Sequence, residues 1–333
     1  MGTFSCARRT GALALALASA APIHAQMGWH RPGLLGGAPE GGASAAERNV
    51  SLNSVAFVDG KTVWVAGTGG YLARSSDGMA WSVVSYPLEA ELNDVTFRDS
   101  DHGWAVGADG WIMSTDDGGD TWRRYQVESY REGIEQPRRF DLYSVFFADR
   151  SNGWVVGDEG MIFATTDGGR TWMEQRSGTR AQLFNLSFTD KKHGWVVGTG
   201  GSLLRTDDGG RTWLAQPLDT SVDLNDVYFV DRETGVITGD DGTLLTTRDG
   251  GATWQRTSVP SAGRLLGISF ADKKSGWSVG YGGVILRTPD AGASWIVQES
   301  HATADLYAIS LHKSERGFAV GADGLVLRYV GKR

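Results

Sequence analysis

The chain is almost without cysteine. Its one thiol, Cys6, lies within the first 25 residues and ahead of an apolar run, so it is not placed for lipidation. Beyond that segment no disulfide and no thiolate metal site can form. A chain without thiols passes unharmed through an oxidising compartment. Proline is scarce, 8 residues against 47 glycines, so the tight turns must come from glycine. Basic charge is short as well. Lys and Arg number 32 against 39 Asp and Glu; without Arg8 and Arg9 the balance is 30 against 39, a net of −9. Nucleic acid is therefore not an expected partner, since it requires a basic face. No stretch past the first 25 residues approaches the ~18 apolar residues that read as a membrane-spanning helix. The six histidines form neither H-x-H nor H-E-x-x-H. No cofactor or metal motif is found.

Residues 1–25 have the layout of a secretory signal. Arg8 and Arg9 flank a short Ala/Leu run from Gly11 to Ala21, and "IHA" precedes Gln26 as a small-residue cleavage site. The run is too short to span a bilayer. The general secretory and twin-arginine routes both remain open, and the mature chain is expected in the periplasm or on the outer envelope face.

The body is a repeat. An octet with Asp, Gly and Trp in step occurs as "TDDGGDTW" (Thr115), "TTDGGRTW" (Thr165), "TDDGGRTW" (Thr206), "TRDGGATW" (Thr247) and "TPDAGASW" (Thr288). The last three intervals are 41 residues each and the first is 50. Ahead of each octet stands a run such as "GWAVGADG" (Gly103) or "GWSVGYGG" (Gly276). Ahead of that stands a strand-like alternation such as "LNDVTF" (Leu92) or "LYAISL" (Leu306). Counting from Leu52, the set recurs seven times. Each unit reads as four short strands with no helical period. Four strands repeated seven times predict an all-β, seven-bladed β-propeller of four-stranded antiparallel blades over residues 48–333.

The octet then has a structural reading: it is the hairpin between a blade's third and fourth strands. Its Asp accepts backbone N–H groups, its Gly takes a positive φ, and its Trp packs below. The alternative, aspartates as catalytic acids or calcium ligands, would need equivalent chemistry at five places around a ring. Blade one departs from the pattern with "SSDGMAW" (Ser75–Trp81), one residue short. Blade seven ends after its third strand at "LVLRYVGKR". An uncovered edge is a liability, so residues 26–47 are expected to supply the missing strand through "GWHRP" (Gly28–Pro32), followed by a Gly-rich linker from Gly33 to Glu47.

The T-x-D-x-G-x-T-W octet is the Asp-box, or bacterial neuraminidase repeat. Paired with D-x-x-x-G-W-x-V-G-x-x-G (Asp99–Gly110, Asp190–Gly201, Asp272–Gly283), it resembles the photosystem II stability and assembly factor family over residues 48–333. The resemblance implies a non-enzymatic, monomeric scaffold that binds a membrane-protein client through an arginine-bearing patch. Arginine ends the third strand at one equivalent position of four blades: Arg74, Arg205, Arg287 and Arg328. The other blades carry Ser114, Ala164 and Thr246 there. If the ring closes, Arg287, Arg328 and Arg74 fall on three successive blades. Their planar forks suit carboxylates and peptide carbonyls; pairing with neighbouring Asp or Glu is the plainer alternative. The 50-residue interval comes from a longer loop, Tyr125–Phe140, which holds Tyr130, Arg131, Arg138 and Arg139 and is a second candidate contact. Two other functions stay open. One is a sialidase-like glycoside hydrolase, which needs an acid pair or nucleophile and an arginine cluster. The other is a passive envelope module serving a transporter or secretion complex.

Overall fold

A computed structural model describes residues 28–31, 50–76, 78, 80–84, 90–129, 137–257, 259, 263–313 and 316–331. The 28 strands form seven four-stranded antiparallel sheets arranged as a ring. Blade two serves as the pattern: Leu92–Phe97 lies innermost, then Gly103–Gly107, Trp111–Thr115 and, outermost, Arg123–Gln126. The same order holds in every blade.

The second strands read as unbroken apolar runs because both their faces are covered. All five residues of Gly103–Gly107 are buried, and likewise in blades three to six. The flanking glycines are set by crowding. A Cβ on Gly107 would run into the Glu91 carbonyl oxygen, and one on Gly103 into the Phe97 ring. Each innermost strand carries a bulge after its first residue, for example between Leu92 and Asp94. A bulge raises the local twist, which suits strands that crowd around one axis.

The core lies between blades. The "GW" tryptophan of one blade stacks on the phenylalanine ending the next blade's inner strand: Trp104 on Phe147 at 3.5 Å, Trp154 on Phe188 at 3.7 Å and Trp195 on Phe229 at 3.5 Å. The Asp-box tryptophan meets that ring edge-on, as Trp172 does Phe147 at 5.9 Å. Offset and edge-on aromatic pairs add about 0.5–1.5 kcal/mol each beyond their burial.

Ring closure is as expected from the truncated seventh repeat. Gly28–His30 pairs antiparallel with Val326–Val330, in the register Gly28↔Val330, Trp29↔Tyr329, His30↔Arg328. Trp29 is buried among Trp277, Leu327 and Tyr329. The proposed signal (1–25) and linker (33–47) lie outside the described residues. No helix among the described residues is long and apolar enough to cross a membrane.

Candidate partner-binding site

The four third-strand arginines share a construction. Each pairs directly with the aromatic residue of the second strand: Trp64↔Arg74, Trp195↔Arg205, Trp277↔Arg287 and Phe318↔Arg328. Directly opposed residues in antiparallel strands share a face, and at Arg74, Arg205 and Arg287 the guanidinium comes to rest over the ring. The separations are 5.8 Å for Arg74, 6.0 Å for Arg205 and 5.2 Å for Arg287. Such cation–π contacts hold the side chain in place without consuming its donors.

Their polar partners differ. Arg74 reaches into the next blade, 2.8 Å from Asp120 and 3.3 Å from the Gly118 carbonyl. Arg205 is taken by Asp207 of its own blade at 3.0 Å. Arg287 and Arg328 make no ion pair among the described residues. The Arg287 Nε is buried without an acceptor. Blades six, seven and one do adjoin, so the three arginines fall on successive blades, but Arg74 is already engaged.

The long loop of blade two is pinned at its foot. Ser129 and Arg138 exchange both backbone hydrogen bonds, at 3.0 and 3.1 Å. The Ser129 hydroxyl donates to Glu174 of blade three at 2.7 Å. Arg138 pairs with Glu159 at 3.4 Å over the Phe140 ring, and Arg139 with Glu128 at 3.0 Å. Tyr130 and Arg131 lie outside the described residues. Both described arginines are thus occupied, Arg138 by an acid of blade three and Arg139 by an acid of the loop itself.

The Asp-boxes are closed upon themselves. In blade two, Asp117 Oδ1 accepts the Thr121 N–H at 2.9 Å and the Thr115 hydroxyl at 2.8 Å, while Oδ2 accepts the Thr121 hydroxyl at 2.6 Å. Thr115 Oγ1 in turn accepts the Gly119 N–H at 2.9 Å. The Thr121 hydroxyl, then its N–H, hold the Asp117 carboxyl down to about 2. Asp167 and Asp249 are held alike, by Thr171 and Thr253. The glycines of the turn, Gly118 and Gly119, sit at φ 69° and 86°. These carboxylates spend their acceptor capacity on the loop. His102 and His193 likewise serve turns, on Asp99 at 2.8 Å and Asp190 at 2.9 Å.

The axial channel holds a feature that the repeat obscured. It encloses about 510 Å³ and is lined by all seven innermost strands. At the position after each bulge stand Ser54, Asp94, Ser144, Asn185, Asp226, Gly267 and Ala308. Asp94 accepts the Ser54 hydroxyl at 2.7 Å, the Ser144 hydroxyl at 3.1 Å and the Val145 N–H at 2.9 Å, tying blades one, two and three. Asp226 accepts the N–H groups of Val227 at 2.7 Å and Ile268 at 2.8 Å. Burial pushes Asp94 up, and it pushes Asp226 up to about 7, helped by the charge of Asp94. The only available signal was the pair "LNDV" at Leu92 and Leu224, where sibling blades write Ser, Asn, Gly or Ala. No arginine is among the described residues lining the channel.

Comparison with known proteins bears on the whole ring. The sequence profile of the family described as photosynthesis system II assembly factor YCF48 matches residues 73–180, 174–260, 215–297 and 261–330. No curated protein matches the chain in sequence. Among solved structures, YCF48 bound to D1 peptide is similar at 21% identity and TM-score 0.71, covering 85% of this chain and 93% of that one. YCF48 from Cyanidioschyzon merolae is similar at 20% identity and TM-score 0.71, covering 91% and 99%. An inactive virginiamycin B lyase from Staphylococcus aureus, with quinupristin, shares the fold at 11% identity and TM-score 0.72, covering 85% and 95%. The repeats, the closed seven-bladed wheel and the profile match over most of its length agree: the chain belongs to the photosystem II assembly factor YCF48 family.

Proposed function

We propose that the chain is an exported, non-enzymatic assembly factor that holds a membrane-associated protein client while that client is built into a larger complex. The observation carrying this reading is the family match from residue 73 to residue 330, from the third strand of blade one through blade seven. Two structural features support it. The Asp-box carboxylates are saturated by their own loops, so the repeated acids build corners. Arg287, held over the Trp277 ring with no ion pair among the described residues, offers a guanidinium for carboxylates and peptide carbonyls. A family relative has been solved bound to D1 peptide, which makes a polypeptide client the natural expectation. The signal-like residues 1–25 support export to the periplasm or outer envelope face, where a monomeric wheel would meet the client beside the membrane.

The test is a crosslinking pull-down from intact membranes with the full chain as bait. A small set of membrane proteins should be enriched, and enrichment should fall when Arg287 and Arg328 are both changed to Glu. No membrane protein enriched over a control bait would remove the reading; an unchanged profile in that variant would remove the arginines from it. Turnover of a fluorogenic sialoside panel by the purified protein would replace it with the hydrolase.

A further inference from the structure

The wheel is not uniform at its seams. At six of seven boundaries the second-strand side chain of one blade is covered by the Asp-box glycine of the next. Trp64 packs on Gly119, Trp195 on Gly251, Val236 on Gly292 and Phe318 on Gly78, each so closely that a Cβ on the glycine would collide. Trp104 Nε1 donates to the Gly168 carbonyl at 3.3 Å, and Trp154 Nε1 to Gly209 at 3.1 Å. The seam between blades six and seven differs. Blade seven has no Asp-box, because its outer strand is the N-terminal clasp. Trp277 Nε1 turns instead to Gln298 of its own blade at 2.8 Å.

The clasp restores part of what the missing corner would supply. Trp29 donates to Gln298 at 3.3 Å, as the Asp-box Trp213 donates to Gln175 at 3.1 Å between blades three and four. Tyr329 lies 5.0 Å from Trp277 and fills the aromatic space. The turn itself, with its carbonyls and carboxylate, has no counterpart among the described residues. Arg287 is left over Trp277 with its Nε buried and no acceptor. Asp272 is close enough to feel its charge but makes no ion pair with it; its Oδ1 accepts the N–H groups of Lys274 and Ser275, both at 2.7 Å. Directly across from Arg287, on the same face of the blade, stands Ile296, 59% exposed.

We propose that this open corner is a docking site for an acidic turn of a protein partner. The turn would give a carboxylate and a backbone carbonyl to Arg287 and lay an apolar side chain on Ile296. The chain shows what such a slot takes. At the seam of blades one and two, the equivalent Arg74 receives the Gly118 carbonyl and the Asp120 carboxylate. Charge favours the same occupant: the turn between the first two strands of blade seven, Lys313 to Arg316, carries two cations against the one acid Glu315. In blade two that turn touches the Asp-box, through Gly118 N–H to the Asp101 carbonyl at 2.9 Å. The proposal rests on the protein-client reading and gives the client its chemistry.

The experiment uses the full chain and a fluorescein-labelled cyclic peptide copying Thr115–Trp122, read by fluorescence anisotropy. Saturable binding is expected, weakened about tenfold or more by Arg287→Gln, the loss of a charge-assisted hydrogen bond. Ile296→Glu, a surface change that leaves folding intact, should weaken it as well through like charge. Arg205→Gln should bind as wild type, since that guanidinium serves Asp207. No binding by the wild type, equal binding by Arg287→Gln and Ile296→Glu, or a peptide photocrosslink to residues away from blades six and seven would overturn the proposal. So would a peptide-free crosslink showing residues 1–27 or 332–333 seated in the corner. Membrane pull-down with the same variants separates the two ideas. Capture that survives without peptide binding sinks the corner alone; peptide binding without any capture sinks the client reading alone.

Discussion

Trp29→Ala tests whether ring closure rests on one side chain. The clasp contributes three paired residues to the sheet. Ordering that backbone costs about 1–2 kcal/mol per residue, which roughly offsets its few hydrogen bonds at about 1 kcal/mol each. The surplus must come from Trp29, 4% exposed, packed on Tyr329 at 5.2 Å and bonded to Gln298. Removing a buried Trp side chain costs about 3–5 kcal/mol where the cavity persists. Here the strand can instead leave, so the loss is capped at the docking energy of the clasp. Urea unfolding should show a loss of a few kcal/mol for Trp29→Ala and nearly the same loss when residues 28–31 are deleted. Hydrogen exchange should show Val326–Val330 losing protection in both. A loss below about 1 kcal/mol, or a deletion far costlier than the substitution, would refute the reasoning.

Asp226→Asn should remove a pH dependence. The ordinary value of 3.8 is raised to about 7, so the carboxyl is neutral in both states at low pH, and stability falls as pH rises through about 4 to 7. At full shift this is about 4 kcal/mol; the channel admits water to the half-buried group, and we expect about 1–2 kcal/mol. Asp94 and Tyr228 share its surroundings and keep their own titrations. Parallel urea midpoints for wild type and variant between pH 5 and 8 would rule this out. Asp117→Ala should lower the melting temperature and loosen residues 115–122 in hydrogen exchange; because Asp117 is held near 2, its contribution is present above pH 4 and fades as pH falls toward 2. An unchanged melt at pH 7 would contradict the corner role. Gly107→Ala forces a Cβ into the Glu91 carbonyl and should leave little folded protein; normal yield and melting would contradict the crowding argument.

The wheel was legible because its repeat writes each physical demand in the same place. "GW" runs must be apolar on both faces, and "D-x-G-x-T-W" must turn a corner. Even the missing fourth strand of blade seven pointed to Trp29. Site chemistry was less legible, since it resides in departures from the repeat. Asp94 and Asp226 occupy slots where other blades place Ser, Asn, Gly or Ala, and only the ring brings them to one channel. The four arginines look alike in sequence. Their partners come from different blades, so Arg74 and Arg205 are paired while Arg287 is not.

The central claim is that Asp-boxes shape the wheel while recognition falls where a corner is missing. Hydrogen exchange with and without captured client measures this most directly. The account predicts new protection at Ile285–Gln298 and Val326–Val330, with the Asp-box loops unchanged. Protection centred on those loops, or on the channel strands, would contradict it.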